Sequence, residues 1–135
     1  MAQYLADTSA WNRSRLVSER WSAMVEADEL LLCTPVRLEI LYSARGGADY
    51  AQFARDLARF PHLALDGRAE RAARRTQAAL ARRGHHRGPT PIDLLVAAVA
   101  EVNGATLLHY DRHFDLIARV TDQPVEWLPQ RGSLD

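Results

Sequence analysis

Short apolar runs alternate with longer stretches of helical spacing along this chain. Each run has the length of a buried strand, whereas the longer stretches repeat apolar residues every three or four positions, as one face of a helix does. Because neighbouring parallel strands need a long crossover connection, the alternation predicts an α/β fold with a parallel sheet. The predicted strands cover residues 3–6, 30–33, 62–65, 106–110 and 125–128.

Capping and breaking residues set the predicted helix boundaries. Proline favours helix starts at Pro35 and Pro91, and the spacing from Thr90 to Asp93 fits a capping box. Asp66 is a candidate N-cap for a long Ala/Arg helix. The helix after Thr90 is apolar around nearly its whole circumference, which predicts that it is buried. The predicted helices cover residues 11–27, 35–45, 49–60, 66–83, 92–102 and a stretch that begins at 111.

Length and composition limit the classes of protein. The chain has 135 residues, 47% of them hydrophobic and 25% charged, which fits a single domain spanning 1–135. Seventeen acids balance seventeen arginines, so the net charge by itself indicates neither a nucleic-acid nor a membrane partner. A single cysteine, Cys33, excludes an intramolecular disulfide, and no apolar run approaches the length of a membrane span. Since the start lacks a signal-peptide pattern, we expect a cytoplasmic protein without a membrane segment.

Four acids stand where functional groups gather in α/β proteins. Asp7 and Asp111 directly follow predicted strands, Glu39 lies one turn into a predicted helix, and Asp93 lies in the first turn of another. Ligands of open α/β sheets bind at the carboxyl ends of the strands. If the strand at 106–110 lies beside the first strand, Asp7 and Asp111 flank the point where the strand order reverses, and Glu39 and Asp93 point toward the same end.

Each acid also has a structural explanation. Acids at helix starts complete caps and complement the helix dipole, and the capping box alone accounts for Asp93. Glu39 stands among apolar helix residues, where an acid without a partner is costly to bury. Convergence favours a site, because clustered carboxylates repel one another unless they are protonated or hold a cation. Oxygen ligands suit Mg²⁺ or Mn²⁺ rather than zinc, and such ions support phosphoryl displacement by activated water.

Four short motifs, in this order, carry a family resemblance. The chain resembles the PIN-domain ribonucleases, and among them the VapC toxins of bacterial toxin–antitoxin pairs, over residues 4 to 128. The motifs are Asp7-Thr8-Ser9, Val36-x-x-Glu39-Ile40-Leu41, Pro91-x-Asp93-x-Leu95-x-Ala97-Ala98 and Asp111-x-His113-Phe114.

The resemblance implies a three-layer α/β/α sandwich that cleaves RNA endonucleolytically with Mg²⁺ or Mn²⁺. It further implies a homodimer that a small VapB-type antitoxin neutralises. Carried over residue by residue, it makes four acids the catalytic metal ligands, with Ser9 as a polar neighbour of the metal's water and Asp115 as an outer fifth acid. Those four ligands are Asp7, Glu39, Asp93 and Asp111. One departure is visible: family members often have a small hydroxyl residue two positions before the last aspartate, whereas this chain has His109.

Basic residues precede Asp93 and follow Asp111. Arg82, Arg83 and Arg87 lie in a Gly-containing segment that either contacts RNA phosphates or is a solvated connection. Arg112 is a further candidate RNA contact, and the sequence leaves the role of its neighbour His113 open.

Two other functions stay open. In the first, Asp7 is the nucleophile of a phosphatase that forms an aspartyl phosphate, although such sites commonly contain a lysine and this chain has none. In the second, the same fold is a catalytically silent module that binds a protein or RNA.

Overall fold

The computed structural model describes residues 2–133 and contains five strands in that range. All five are parallel and form one sheet in the order β3-β2-β1-β4-β5. The predicted parallel α/β sheet is therefore confirmed. The strands are β1 (Tyr4–Ala6), β2 (Leu30–Cys33), β3 (His62–Leu63), β4 (Thr106–His109) and β5 (Val125–Trp127).

Helices connect successive strands and cover both faces of the sheet; they are α1 (Thr8–Trp11), α2 (Ser18–Glu26), α3 (Thr34–Tyr42), α4 (Gly47–Leu57), α5 (Gly67–Arg82), α6 (Pro91–Asn103) and α7 (His113–Thr121). Side chains alternate across the β1 and β4 strands, because successive residues of a strand point to opposite faces. Leu5 and Leu107 belong to the larger apolar cluster, which includes the buried faces of α5, α6 and α7, whereas Ala6 and Leu108 pack with Met24 of α2. This is the predicted three-layer sandwich.

The caps predicted for the longest helices are present. Asp66 accepts a hydrogen bond from the Ala69 amide at the start of α5. At the start of α6, Thr90 and Asp93 form the reciprocal capping box, and Gly104 ends the helix in the left-handed region at φ 67°. Six residues of α6 are buried and only Pro91 is exposed, in agreement with its apolar circumference.

The first crossover differs from the predicted continuous helix over residues 11–27. It consists of α1, a 3₁₀ turn at Ser14–Val17 and α2. Arg13 (φ −115°, ψ 8°) and Val17 (φ −132°, ψ 41°) leave the α-helical region and separate the three pieces. The breaks allow the ring of Trp11 to pack edge-on against Trp21 and Phe60, at centroid distances of 4.9 and 5.0 Å. Tertiary packing of aromatic rings therefore outweighs the local helical spacing here.

Smaller differences occur at other element ends. The strand predicted over residues 62–65 has only two residues, and α4 begins at Gly47, two residues earlier than predicted. Within residues 2–133, no helix is long and apolar enough to cross a membrane.

Candidate metal centre

The order of the strands brings the predicted acids together at the carboxyl ends of the strands. β1 and β4 are neighbours, with Ala6 opposite Leu108, and the Asp7 amide donates to the Leu108 carbonyl at 2.8 Å. The predicted placement of the 106–110 strand beside the first strand is therefore confirmed. Asp7 and Asp111 follow the carboxyl ends of these neighbouring strands, at the point where the strand order reverses.

Asp7 is the buried member of the group, with only 5% of its surface exposed. Its Oδ2 accepts hydrogen bonds from the Ser9 amide (3.0 Å) and the Ser9 hydroxyl (2.7 Å). Burial raises the pKa of Asp7 to about 6, the Ser9 bonds oppose that shift, and the charges of Asp93 and Glu39 add to it. The side chain is thus held in place while its ionised form is disfavoured, which a nearby cation would reverse.

Ser9 also connects β1 to the end of β4. Its hydroxyl oxygen accepts a hydrogen bond from the Tyr110 amide at 2.9 Å while its proton goes to Asp7. One side chain therefore orients the buried carboxylate and holds the segment that carries Asp111.

Asp93 is both a capping residue and a member of the acidic group. Its Oδ2 accepts from the Thr90 amide at 2.9 Å, and its own amide donates to the Thr90 hydroxyl at 3.1 Å. Burial, with a further contribution from the charge of Asp111, raises the pKa of Asp93 although the Thr90 bonds lower it. A carboxylate has about four acceptor positions, so the cap leaves capacity for a metal.

Asp111 and His113 complete the tightest cluster. Among residues 2–133, one group of three potential metal ligands has all its donor atoms within 4.8 Å of one another, and it consists of Asp93, Asp111 and His113. The His113 amide donates to Asp111 Oδ1 at 2.9 Å, and the His113 Nδ1 atom lies 3.4 Å from the same oxygen. The sequence left the role of His113 open. The two-residue spacing from Asp111 to His113 was the sequence signal for this role. The turn that starts α7 brings the imidazole close to the aspartate two residues before it.

His109 supports Asp111 from the core. The side chain is fully buried, and its Nδ1 accepts a hydrogen bond from the Asp111 amide at 3.2 Å. Burial lowers the pKa of His109, so the neutral ring is favoured. The imidazole thus supplies an acceptor for the backbone at Asp111.

Glu39 lies differently from the sequence prediction. We expected a costly buried acid, but Glu39 is exposed, because α3 turns this side chain and Leu38 toward solvent. Its Oε1 accepts a hydrogen bond from the Thr8 hydroxyl at 2.8 Å, and its charge contributes to the raised pKa of Asp7. Glu39 therefore belongs to the acidic surface around Asp7 but lies outside the three-ligand cluster. Thr8, directly after Asp7, is a positioning group that sequence reasoning missed.

Asp115 lies beyond His109 rather than among the clustered ligands. Both of its oxygens accept from the Trp127 indole at 3.2 Å, and Oδ1 is 3.8 Å from the His109 Nε2 atom. The structure therefore places Asp115 behind Asp111, with His109 between them.

The four arginines predicted to bind RNA are all exposed. Arg82, Arg83 and Arg87 lie at the end of α5 and in the connection to α6, and Arg112 directly precedes α7. Arg112 lines a surface cleft together with His113, so it borders the three-ligand cluster.

The donor set fits a divalent cation. Two carboxylates and one imidazole converge, and a third carboxylate, Asp7, contributes charge to the same edge of the sheet. Burial first and neighbouring acids second raise the pKa values of Asp7 and Asp93, and a bound cation would stabilise both carboxylates in their ionised form. Such a site can hold a cation and present a phosphate to it.

Comparisons with known proteins agree with this geometry. The PIN domain family model matches residues 4–120. Ribonuclease VapC18 of Mycobacterium tuberculosis is 38% identical over 135 residues, which cover 97% of this chain and 98% of that protein. Ribonuclease VapC2 of the same species is 42% identical over 115 residues, or 84% of this chain and 82% of that protein.

A solved structure supports the fold. The DNA-bound VapBC complex from Salmonella typhimurium contains a chain that superposes with a TM-score of 0.74 at 20% identity, covering 94% of this chain and 98% of that one. This likeness concerns the fold, whereas the family model over residues 4–120 and the 38% identity to VapC18 along nearly the whole chain show that the protein belongs to the PIN-domain family, in its VapC branch.

Proposed function

We propose that this protein is a metal-dependent endoribonuclease and the toxin of a VapBC-type pair. One observation carries the proposal: Asp93, Asp111 and His113 converge within 4.8 Å beside the buried Asp7 in a chain of the VapC branch. Asp7, Glu39, Asp93 and Asp111 are the proposed catalytic acids. His113 joins them as a proposed ligand on the strength of its distance to the two aspartates.

The position of each side chain in the site suggests its role in catalysis. Asp93, Asp111 and His113 would hold the cation, and Asp7 would add the charge that draws it to the strand ends. A bound divalent cation lowers the pKa of a water molecule that it binds and neutralises charge on the phosphodiester. Ser9 and His109 keep Asp7 and Asp111 in position through their hydrogen bonds, and Thr8 orients Glu39. Glu39, which is exposed, is available to accept a proton from water at the mouth of the site.

Mg²⁺ and Mn²⁺ remain the proposed cofactors. Two carboxylates favour hard cations, whereas the imidazole of His113 is tolerated better by Mn²⁺ than by Mg²⁺. We therefore expect Mn²⁺ to bind more tightly of the two. Calorimetric titration of the metal-free protein with each ion measures this, and selective binding of Zn²⁺ alone would contradict the assignment.

Two observations argue against the alternatives. A phosphatase nucleophile must approach phosphorus, but Asp7 is buried, and its Oδ2 atom already accepts two hydrogen bonds from Ser9. A silent binding module has no use for buried acids that cost stability, yet the pKa values of Asp7 and Asp93 are both raised. Acid-stable phosphate on Asp7 after incubation with a phosphodonor would favour the phosphatase.

The deciding experiment is cleavage of a structured RNA with Mg²⁺ or Mn²⁺ and with EDTA. We expect Asp7→Asn and Asp93→Asn to remove the metal-dependent activity, because each keeps the side-chain volume and loses the charge. Asp56→Asn is the matched control, since Asp56 is an exposed acid on α4. Equal activity of all three variants would overturn the site assignment.

The remaining partners follow from the same proposal. The relatives' VapBC complexes suggest a cognate VapB-type antitoxin, the RNA substrate implies a cytoplasmic location, and the family suggests a homodimer and one domain over 1–135. Trp11 and Trp21 are partly buried and pack against the smaller apolar cluster. Among residues 2–133, the large apolar side chains that stay exposed are Leu16, Leu38, Tyr42 and Tyr50. Sedimentation of Tyr42→Ser, expected to shift dimer toward monomer, tests this surface; Tyr42 is 91% exposed.

A further inference from the structure

A basic cleft borders the candidate metal centre on the side of α7. It lies between the α5–α6 connection, the exposed side of α7 and the chain near residue 131, and we refer to it as the α7 cleft. Its volume is about 350 Å³. Three arginines, two histidines and one acid provide its charged and titratable groups: Arg112, Arg119, Arg131, His85, His113 and Asp115.

Positive charge exceeds negative charge in this cleft. Asp115 is its one acid among the residues the structure describes, and that carboxylate already accepts from the Trp127 indole and lies 3.9 Å from an Arg131 nitrogen. The guanidiniums of Arg112 and Arg119 are on exposed side chains. In a chain whose net charge is zero, such a local surplus is what can attract a polyanion.

The cleft and the metal centre share one residue. His113 lines the cleft and also stands in the three-ligand cluster, with its donor atom within 4.8 Å of those of Asp93 and Asp111. A strand with one phosphate at the cluster would therefore have the cleft beside it.

The α5–α6 connection, which forms the wall of the cleft opposite α7, packs closely against α7 at Gly88. A β-carbon at Gly88 would lie 3.2 Å from Leu116 Cδ1 and 3.5 Å from His113 Cδ2, so the connection approaches α7 closely where it has no side chain. The His85 amide donates to the Leu80 carbonyl at 2.8 Å, and the Gly88 amide donates to the His85 carbonyl at 3.1 Å. These bonds hold the backbone of the connection in place at His85, which lines the cleft together with Arg112 and Arg119.

We propose that the α7 cleft binds a backbone phosphate of the RNA strand adjacent to the phosphate that is cleaved. The inference rests on the proposed ribonuclease function and specifies where the substrate continues beyond the metal centre. Guanidinium groups match phosphate oxygens with paired hydrogen bonds, and phosphate contacts position a strand without reading its bases. The cleft is therefore a positioning subsite, and base preference arises elsewhere.

The test compares two double variants with equal charge changes. Arg119→Gln with Arg131→Gln removes two guanidiniums from the cleft, whereas Arg55→Gln with Arg59→Gln removes two exposed ones on or next to α4. Binding of a 12-nucleotide single-stranded RNA is measured in EDTA, where no cleavage occurs, over a range of salt concentrations. We expect the cleft variant to bind roughly tenfold more weakly at 0.1 M salt. Its salt slope should fall by about 0.7, because the one phosphate in the cleft loses its guanidinium partners.

A second measurement separates this proposal from the proposed function. We expect the cleft variant to lose about tenfold in kcat/KM on a tetranucleotide and much less on a dinucleotide, which has no flanking phosphate. If the wild type cleaves neither of these substrates nor the structured RNA of the deciding experiment, the ribonuclease proposal fails, while the binding assay still decides the cleft.

Three results would overturn the inference about the cleft. One is a cleft variant whose salt slope and affinity match those of the Arg55/Arg59 control. Another is an equal loss of kcat/KM on both substrate lengths. The third is wild-type binding to an acidic peptide, abolished in the cleft variant, with RNA binding unchanged, which would assign the cleft to a protein partner.

Discussion

Two aspartates at helix starts differ in their environments although they make the same kind of local hydrogen bond. Asp66 caps α5 by accepting from the Ala69 amide at 3.1 Å, and Asp93 accepts from the Thr90 amide at 2.9 Å in the capping box of α6. Nevertheless, the pKa of Asp66 is lowered and the pKa of Asp93 is raised.

The cause lies in what surrounds each carboxylate. The Ala69 amide, followed by the Arg68 guanidinium, stabilises the charge of Asp66 on a side chain that is 38% exposed. Asp93 is partly buried, and Asp111 stands near it, so both desolvation and like charge oppose its ionisation. Capping chemistry alone therefore does not distinguish a structural acid from a functional one, whereas the position of the helix start relative to the sheet does.

The largest expected effect comes from neutralising each aspartate in turn. We expect Asp93→Asn to lower metal-dependent RNA cleavage by roughly 1,000-fold, because losing a ligand should cost more than the 10–100-fold typical of an outer-shell change. Asp66→Asn should leave the rate within about twofold. Thermal melting with Mn²⁺ provides a second readout, since a ligand that binds only the folded state raises stability. Similar behaviour of the two variants would mean that Asp93, like Asp66, is only a cap.

The pH dependence of stability should have opposite signs at the two kinds of site. Asp7 resembles Asp93, and its folded pKa of about 6 exceeds the ordinary aspartate value of 3.8. A raised folded pKa contributes stability that is complete below 3.8 and is lost as the pH rises through about 6. Asp66 has a lowered pKa, so its contribution is present above its unfolded pKa and is lost as the solution becomes more acidic.

Asp7→Asn should therefore stabilise the metal-free protein at pH 7.5, by up to about 3 kcal/mol at 1.36 kcal/mol per pKa unit. The gain should disappear near pH 4, where Asp7 is already protonated. Urea unfolding in EDTA at both pH values measures the effect. A stability loss at pH 7.5 would show that the Ser9 hydrogen bonds outweigh the desolvation of Asp7.

The N-caps at Asp66 and Thr90 should contribute similar amounts to the free energy of unfolding. Asp66→Ala and Thr90→Ala should each lower the free energy of unfolding by about 1 kcal/mol, because each removes one N-cap acceptor. Only Thr90→Ala should also lower RNA cleavage, by about tenfold, since the turn that carries Asp93 loses a bond. Serine at position 90 should restore both properties, and its failure to do so would implicate the methyl group of Thr90.

The smallest effect is expected at the exposed acid. Thr8→Val removes the hydroxyl that donates to Glu39 and should change stability by less than about 0.5 kcal/mol. RNA cleavage should fall about threefold, with Thr8→Ser as the matched control. A loss as large as that of Asp93→Asn would place Glu39 among the principal ligands.

Local chemistry explains what the sequence determined by itself. Alternation of apolar runs and helical stretches predicted a parallel α/β sheet, and the caps at Asp66 and Thr90 formed where their spacing indicated. The acids at the ends of β1 and β4 were identifiable because strand ends are functional positions in this fold class. These features depend on neighbouring residues and on the periodicity of secondary structure.

Tertiary structure decided the rest, because it depends on residues that are distant along the chain. The break in the first crossover follows from the packing of Trp11 on Phe60, 49 positions away. The exposure of Glu39 depends on how α3 lies against the sheet, and the place of His113 depends on the approach of α6 to the start of α7. Periodicity indicates which face of an element is apolar, but only packing shows which elements meet at that face.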